Sequence, residues 1–117
     1  MTVKGLIPLL NFATLLNEAQ PSSNRAIGEW QISRVYSVVA FGESALHHGR
    51  LCLEHCDSDA LRPFLKACAH EAMARALSLS DKATARIHYQ AAGDLVETIE
   101  DQEERNILQS DLLTIKV

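Results

Sequence analysis

Histidine and cysteine recur at four-residue intervals in one stretch of this chain: His48, Cys52 and Cys56, with His47 and His55 beside them. Imidazole and thiolate are zinc and copper ligands, and a neighbouring His-Cys pair is also the core of a thiol nucleophile. On a helix the three form a nearly continuous stripe. Residues eight apart are separated by about 12 Å along the axis, however, at a 1.5 Å rise per residue. One ion can take an (i, i+4) pair from this stripe but not all three, so a site would need Cys68 or His88 from elsewhere. No HExxH, no strained nucleophile turn and no phosphate-cradling glycine loop accompanies them, and the five glycines are scattered singly. Core thiols with surface histidines are the expectation, with no bound metal, no cofactor and no enzymatic role.

The carboxylates read similarly. Glu97, Glu100, Glu103 and Glu104 include pairs at three-to-four spacing, as on a di-iron helix, yet the Glu-x-x-His signature is missing despite five histidines. A solvated acidic helix start explains the run.

Trp30 and Arg34 stand one helical turn apart, so indole and guanidinium share a face. Such a pair is a common anchor for a peptide or a carboxylate. The competing reading packs Trp30 in the core and pairs Arg34 with an internal acid such as Glu71. Glu71 and Arg75 are themselves (i, i+4) partners, a spacing that contributes only about 0.3–0.5 kcal/mol when exposed. If Arg34 also reaches Glu71, the cluster becomes a polar network.

The chain that must position these groups has 117 residues, enough for one domain with its own core. Hydrophobic residues at 47% and charged residues at 22% are ordinary for a globular protein. A net charge of −4 without basic clusters argues against a nucleic-acid surface. The apolar N-terminal stretch is broken by Pro8, Asn11 and Thr14 and lacks a good cleavage site, so it does not read as a secretory signal. No run approaches the 18 or so apolar residues of a membrane span. Three cysteines exclude a complete internal disulfide set and fit a reducing, cytoplasmic setting.

Strand signals are nearly absent and helical periodicity is almost continuous. The spacing predicts a first helix over 6–19, carrying Leu6, Leu9, Leu10, Ala13 and Leu16. Residues 20–24 break it, and Ser22 or Ser23 is expected to cap a second helix over 24–40. That helix holds Ile27, Trp30, Ile32, Val35, Tyr36, Val38 and Val39, too many apolar groups for one stripe, so it should be contacted on two sides. Phe41 and Gly42 are expected to end it. A third helix follows over 43–56, a fourth over 60–79 with Pro63 in its first turn, and a fifth over 81–99 capped by Ser80. A sixth, over 101–115, opens on acidic residues that suit the helix dipole.

Shifting the chain by 40 residues lays the third helix on the fifth and the second on the fourth. Ala45 meets Ala85, Cys52 meets Ala92 and Tyr36 meets Ala76. With Ile32, Ser33, Asp81 and Tyr89, these residues resemble the tetratricopeptide repeat over about residues 27–96. The segment GEWQISRVYSVV…ESALHHGRLCLEHC is also similar to small bacterial tetratricopeptide-like proteins of unassigned function. The resemblance implies an all-α, right-handed stack of about six helices. Its antiparallel hairpins would span about 24–56 and 60–99, flanked by helices 6–19 and 101–115. It further implies a concave groove for a protein or peptide partner. Trp30, Arg34 and Ser37 would line it from the first hairpin and His70 from the second, beside the Glu71–Arg75 pair. The apolar helix between Leu6 and Leu16 must either be wrapped by its neighbours or meet another chain, and the expectation is a homodimer that uses it.

Overall fold

The computed structural model describes residues 21–58 and 60–117, and every regular element among them is a helix. α1 spans Pro21–Val38, α2 Gly42–Ser58, α3 Pro63–Leu77, α4 Lys82–Val96 and α5 Gln102–Leu112. They correspond to the second to sixth helices expected from the sequence. The helix expected over 6–19, and the homodimer contact assigned to it, lie outside the described residues. No helix among the described residues is long and apolar enough to cross a membrane.

The helix boundaries follow local chemistry, with three departures from expectation. α1 begins at Pro21, so Ser22 and Ser23 fall inside its first turn instead of capping it. Proline suits a first helical position because the N–H it lacks has no intrahelical partner there. α1 does not end on Gly42. Ala40 adopts the left-handed conformation, φ 63°, while Gly42 opens α2. The Phe41 N–H donates to the Tyr36 carbonyl at 2.8 Å and the Ala40 N–H to the Ser37 carbonyl at 3.1 Å. The Phe41 and Tyr36 rings meet with centroids 6.2 Å apart. This is the Schellman ending, complete with its apolar contact. α2 closes in the same way, with Ala60 at φ 49° and the Leu61 N–H donating to the Cys56 carbonyl at 3.0 Å. Finally, α4 is capped by Asp81 and not by Ser80. The Asp81 carboxylate accepts from the Thr84 N–H at 3.2 Å and from its hydroxyl at 2.6 Å. Asp101 caps α5 through the Glu104 N–H at 2.9 Å.

Connections of a few residues turn each helix back beside the previous one, and every helix packs on its successor in the chain. α3 is central: it also touches α1 and α5. Its sequence allows this, because Ala67, Ala69, Ala72, Ala74 and Ala76 are all buried and let several neighbours approach. Small residues mark a close crossing as well. A methyl group on Gly49 would stand 3.3 Å from both Met73 Sδ and Ser33 Oγ, and that Ser33 hydroxyl donates to the Ala45 carbonyl at 2.6 Å. Trp30, Phe64, Leu108, Val96 and the three cysteine side chains fill the core.

The described elements contact α1 on one face, through α2 and α3. The second contact expected from its apolar content is not made by them, and Ile32, Val35, Val38 and Val39 are exposed.

Candidate functional site

Three helices bring their charges to one internal point. Arg34 projects from α1, Glu71 and Arg75 from α3, and Asp111 from α5. Arg34 and Glu71 are 1% and 0% exposed, yet both are charged in kind. Their pairing follows from geometry. Arg34 Nη2 donates to Glu71 Oε1 and, at 3.3 Å, to Asp111 Oδ2. The indole N–H of Trp30 donates to Glu71 Oε2 at 3.0 Å, and the Arg34 guanidinium lies 5.3 Å from the centre of the Trp30 ring. Arg75 Nε donates to Glu71 Oε1 at 3.0 Å. Its Nη2 reaches the Asp111 backbone carbonyl at 3.0 Å and the Thr114 hydroxyl at 2.6 Å. One carboxylate thus accepts from three different side chains.

Electrostatics follow this arrangement. Burial alone would raise the Glu71 carboxyl, but Arg34, Arg75 and the Trp30 N–H together hold it below its usual range. Arg34 is held above its ordinary value, its acids outweighing burial, whereas burial draws Arg75 down. For Asp111 burial wins over Arg34, and its carboxyl is pushed up to about 7. Among the described residues, Arg34 Nε and Nη1 and the Ser37 hydroxyl are buried without a hydrogen-bond partner.

Four of the six residues singled out in the sequence therefore converge: Trp30, Arg34, Glu71 and Arg75. Trp30 is packed and Arg34 pairs with Glu71, as in the competing reading of that pair. Ser37 lies half-buried one turn beyond Arg34 and bonds to none of them. His70 points elsewhere, stacking on His88 of α4 with centroids 5.2 Å apart and the two Nδ1 atoms 3.0 Å apart. Burial lowers both imidazoles, and His88 lowers His70 further.

Asp111 and Thr114 were not legible as members of the network. The available signal was an acid at position 111 in the apolar face formed by Leu108, Leu112 and Ile115.

The cysteine-histidine stripe resolves into separate environments. Cys52, Cys56 and Cys68 are buried free thiols. The hydrogen bond with Cys56, together with burial, pushes the Cys52 thiol far up, and burial does the same to Cys68. Neither presents a thiolate at neutral pH. His48 turns instead to Glu29, whose carboxylate accepts from Nδ1 at 2.6 Å, and it stacks on Tyr36 with centroids 5.7 Å apart. Among the described residues no group of three or more His, Cys, Asp or Glu side chains is placed to hold a metal ion.

Two surface features remain. A cleft of about 420 Å³ opens where the start of α3 faces the α4–α5 connection. Arg62 bridges it, donating to both carboxylate oxygens of Glu104 at 2.8 and 3.3 Å while lying over the Phe64 ring. At the α1–α2 and α3–α4 turns, Val39, Phe41 and Leu79 are exposed, Phe41 at 61% and Leu79 at 49%. Leu79 Cδ1 reaches within 3.5 Å of where a methyl group on Gly42 would stand. The two turns therefore share one end of the molecule. Compared with known protein families, curated proteins and solved structures, the chain shows no match.

Proposed function

We propose that the protein is a protein- or peptide-binding adaptor, built as a right-handed, tetratricopeptide-like stack of helical hairpins and working without catalysis. Sequential packing of the helices, the small-residue crossing at Ser33, Ala45 and Gly49, and the 40-residue internal similarity support that architecture. The buried, reduced thiols suit a cytoplasmic setting.

The observation that carries the binding role is the apolar end formed by the two turns. Turn tips ordinarily hold glycine, asparagine, aspartate and serine. Here Val39 and Leu79, one 40-residue period apart, stand exposed with Phe41 beside them. Contiguous apolar surface of this kind marks an interaction site. The Trp30, Arg34, Glu71 and Arg75 network serves it indirectly, by fixing α1 against α3 so that the two turns keep their spacing.

The test is selection of peptides from a displayed random library on the immobilised protein, then titration of the selected sequences against wild type and the Phe41→Ser, Leu79→Ser double variant. Apolar peptides that bind wild type and lose at least about tenfold on the variant support the reading, since two exposed anchors of this size are worth more than 1.4 kcal/mol. Failure to select any peptide, or equal binding to both proteins, removes it.

A further inference from the structure

His70 of α3 and His88 of α4 take no part in the buried charge network or in the turn-end patch. Their ring centroids stand 5.2 Å apart and their Nδ1 atoms 3.0 Å, so the rings present these nitrogen edges to each other. A single proton holds that contact, one Nδ1 donating and the other accepting. The same two nitrogens also fit a metal ion. Bonds of about 2.0–2.1 Å to one ion set their nitrogens about 2.9 Å apart at a right angle and about 3.4 Å apart at a tetrahedral one. The observed separation falls between the two. A turn of either ring about its Cβ–Cγ bond aims both lone pairs at one point. We infer that His70 Nδ1 and His88 Nδ1 together bind one divalent transition-metal ion of the zinc and nickel class. The ion replaces the hydrogen bond between the rings, and the donating ring then carries its proton on Nε2.

The surroundings suit an ion better here than at the other histidines. His48 already engages its Nδ1 with Glu29. His70 and His88 come from helices that pack directly on each other, with Ala69, Ala72 and Ala85 buried between their neighbours, so the backbones hold the two rings at fixed spacing. Both rings are half-buried, which leaves a path from solvent and room for water at the ion's remaining positions, as in open metal sites. The charges that face His70 are Asp57, at the end of α2, and Lys66, one turn earlier on α3. They pair with each other at 3.6 Å, so neither stands as an uncompensated cation against the incoming metal. Imidazole is a ligand for zinc, copper, iron and nickel and a poor one for magnesium and calcium. An ion held this way ties α3 to α4 near the surface. Spacing along one helix could not show the pair, because its members are 18 residues apart and separated by a turn.

Titration of zinc chloride into the tag-free full chain, followed by calorimetry and by imidazole nitrogen NMR, tests the site independently of the turn-end patch. The expected result is one ion per chain, with the Nδ1 resonances of His70 and His88 shifting together. His70→Gln and His88→Gln should each weaken binding at least about tenfold, a loss that even a supporting group of a metal site brings when removed. Circular dichroism checks that both variants fold, and the wild-type shifts decide the matter if either does not. His48→Gln, and the double variant Phe41→Ser, Leu79→Ser, should bind zinc as wild type does. Nickel should compete for the site and magnesium should not. Shifts confined to His47, His48 or His55, binding indifferent to His88→Gln, or no stoichiometric uptake would each overturn the inference and leave the two rings joined by a proton alone.

Discussion

Arg34 of α1 and Glu71 of α3 form an ion pair from which solvent is excluded on both sides, 37 residues apart in sequence. Removing water from two charges is costly, and only the surrounding donors make the arrangement tolerable. Breaking one side leaves the other charge buried and unpaired. Arg34→Leu should lower unfolding free energy by about 3–5 kcal/mol in urea titrations, a loss typical of a broken buried pair. The double variant Arg34→Leu, Glu71→Leu should lose less than the two single losses combined. Additive losses would show that the two charges do not depend on each other.

Asp111 sets a pH dependence of the opposite kind from ordinary acid unfolding. Its carboxyl, raised by burial to about 7 from 3.8, resists ionisation in the folded protein. Below pH 3.8 it is protonated in both states and contributes no difference. As pH climbs toward 7 the unfolded chain releases that proton while the folded chain retains it, so stability declines across this window and levels off above it. Asp111→Asn should therefore be more stable than wild type by about 1–3 kcal/mol at pH 8, with the gain shrinking toward pH 4. Urea midpoints at both pH values check the sign. A variant less stable than wild type at pH 8 would mean that Arg34 needs an ionised Asp111.

The His70–His88 contact acts in the acid direction. Both imidazoles are lowered, so each favours its neutral form when folded. Stability is then complete above the free value of 6.5 and falls as pH drops through the lowered values. Proton NMR should find both midpoints below 6.5. Replacing His88 by Gln should return His70 part of the way toward its ordinary value, since one of the groups depressing it is gone. A His70 midpoint unmoved by His88→Gln would assign its shift to burial and the nearby Lys66 charge instead.

Ala40 occupies a left-handed backbone position that costs a non-glycine residue about 1 kcal/mol. Ala40→Gly should raise stability by about 0.5–1 kcal/mol, the relief at the helix end exceeding the added freedom of the unfolded chain. Thermal unfolding of the variant would show a higher midpoint; a lower one would place the entropy term above the strain.

Helical content and the breaks between elements were legible because periodicity and proline position are local signals. Pro63 fell in the first turn of α3 as its chemistry requires. The choice between Ser80 and Asp81 as cap, and between Ala40 and Gly42 as the left-handed residue, was not legible. The members of each pair stand within two positions of each other, and the packing of the next helix selects between them. The site divides along the same line. Trp30 with Arg34, and Glu71 with Arg75, are neighbours on single helices and could be paired from spacing. Asp111 joins them only because α5 folds back on α3, a contact that no local pattern encodes.

The three cysteines make the core a clock. Cys52 and Cys56 on α2 and Cys68 on α3 are sealed where the central helices meet, with no thiol near the surface to confuse the signal among the described residues. An alkylating reagent can reach them only when those helices separate. Its rate of capture, followed by mass, then reads how often the two hairpins come apart in the otherwise native protein, and the order in which the thiols react tells which helix lets go first.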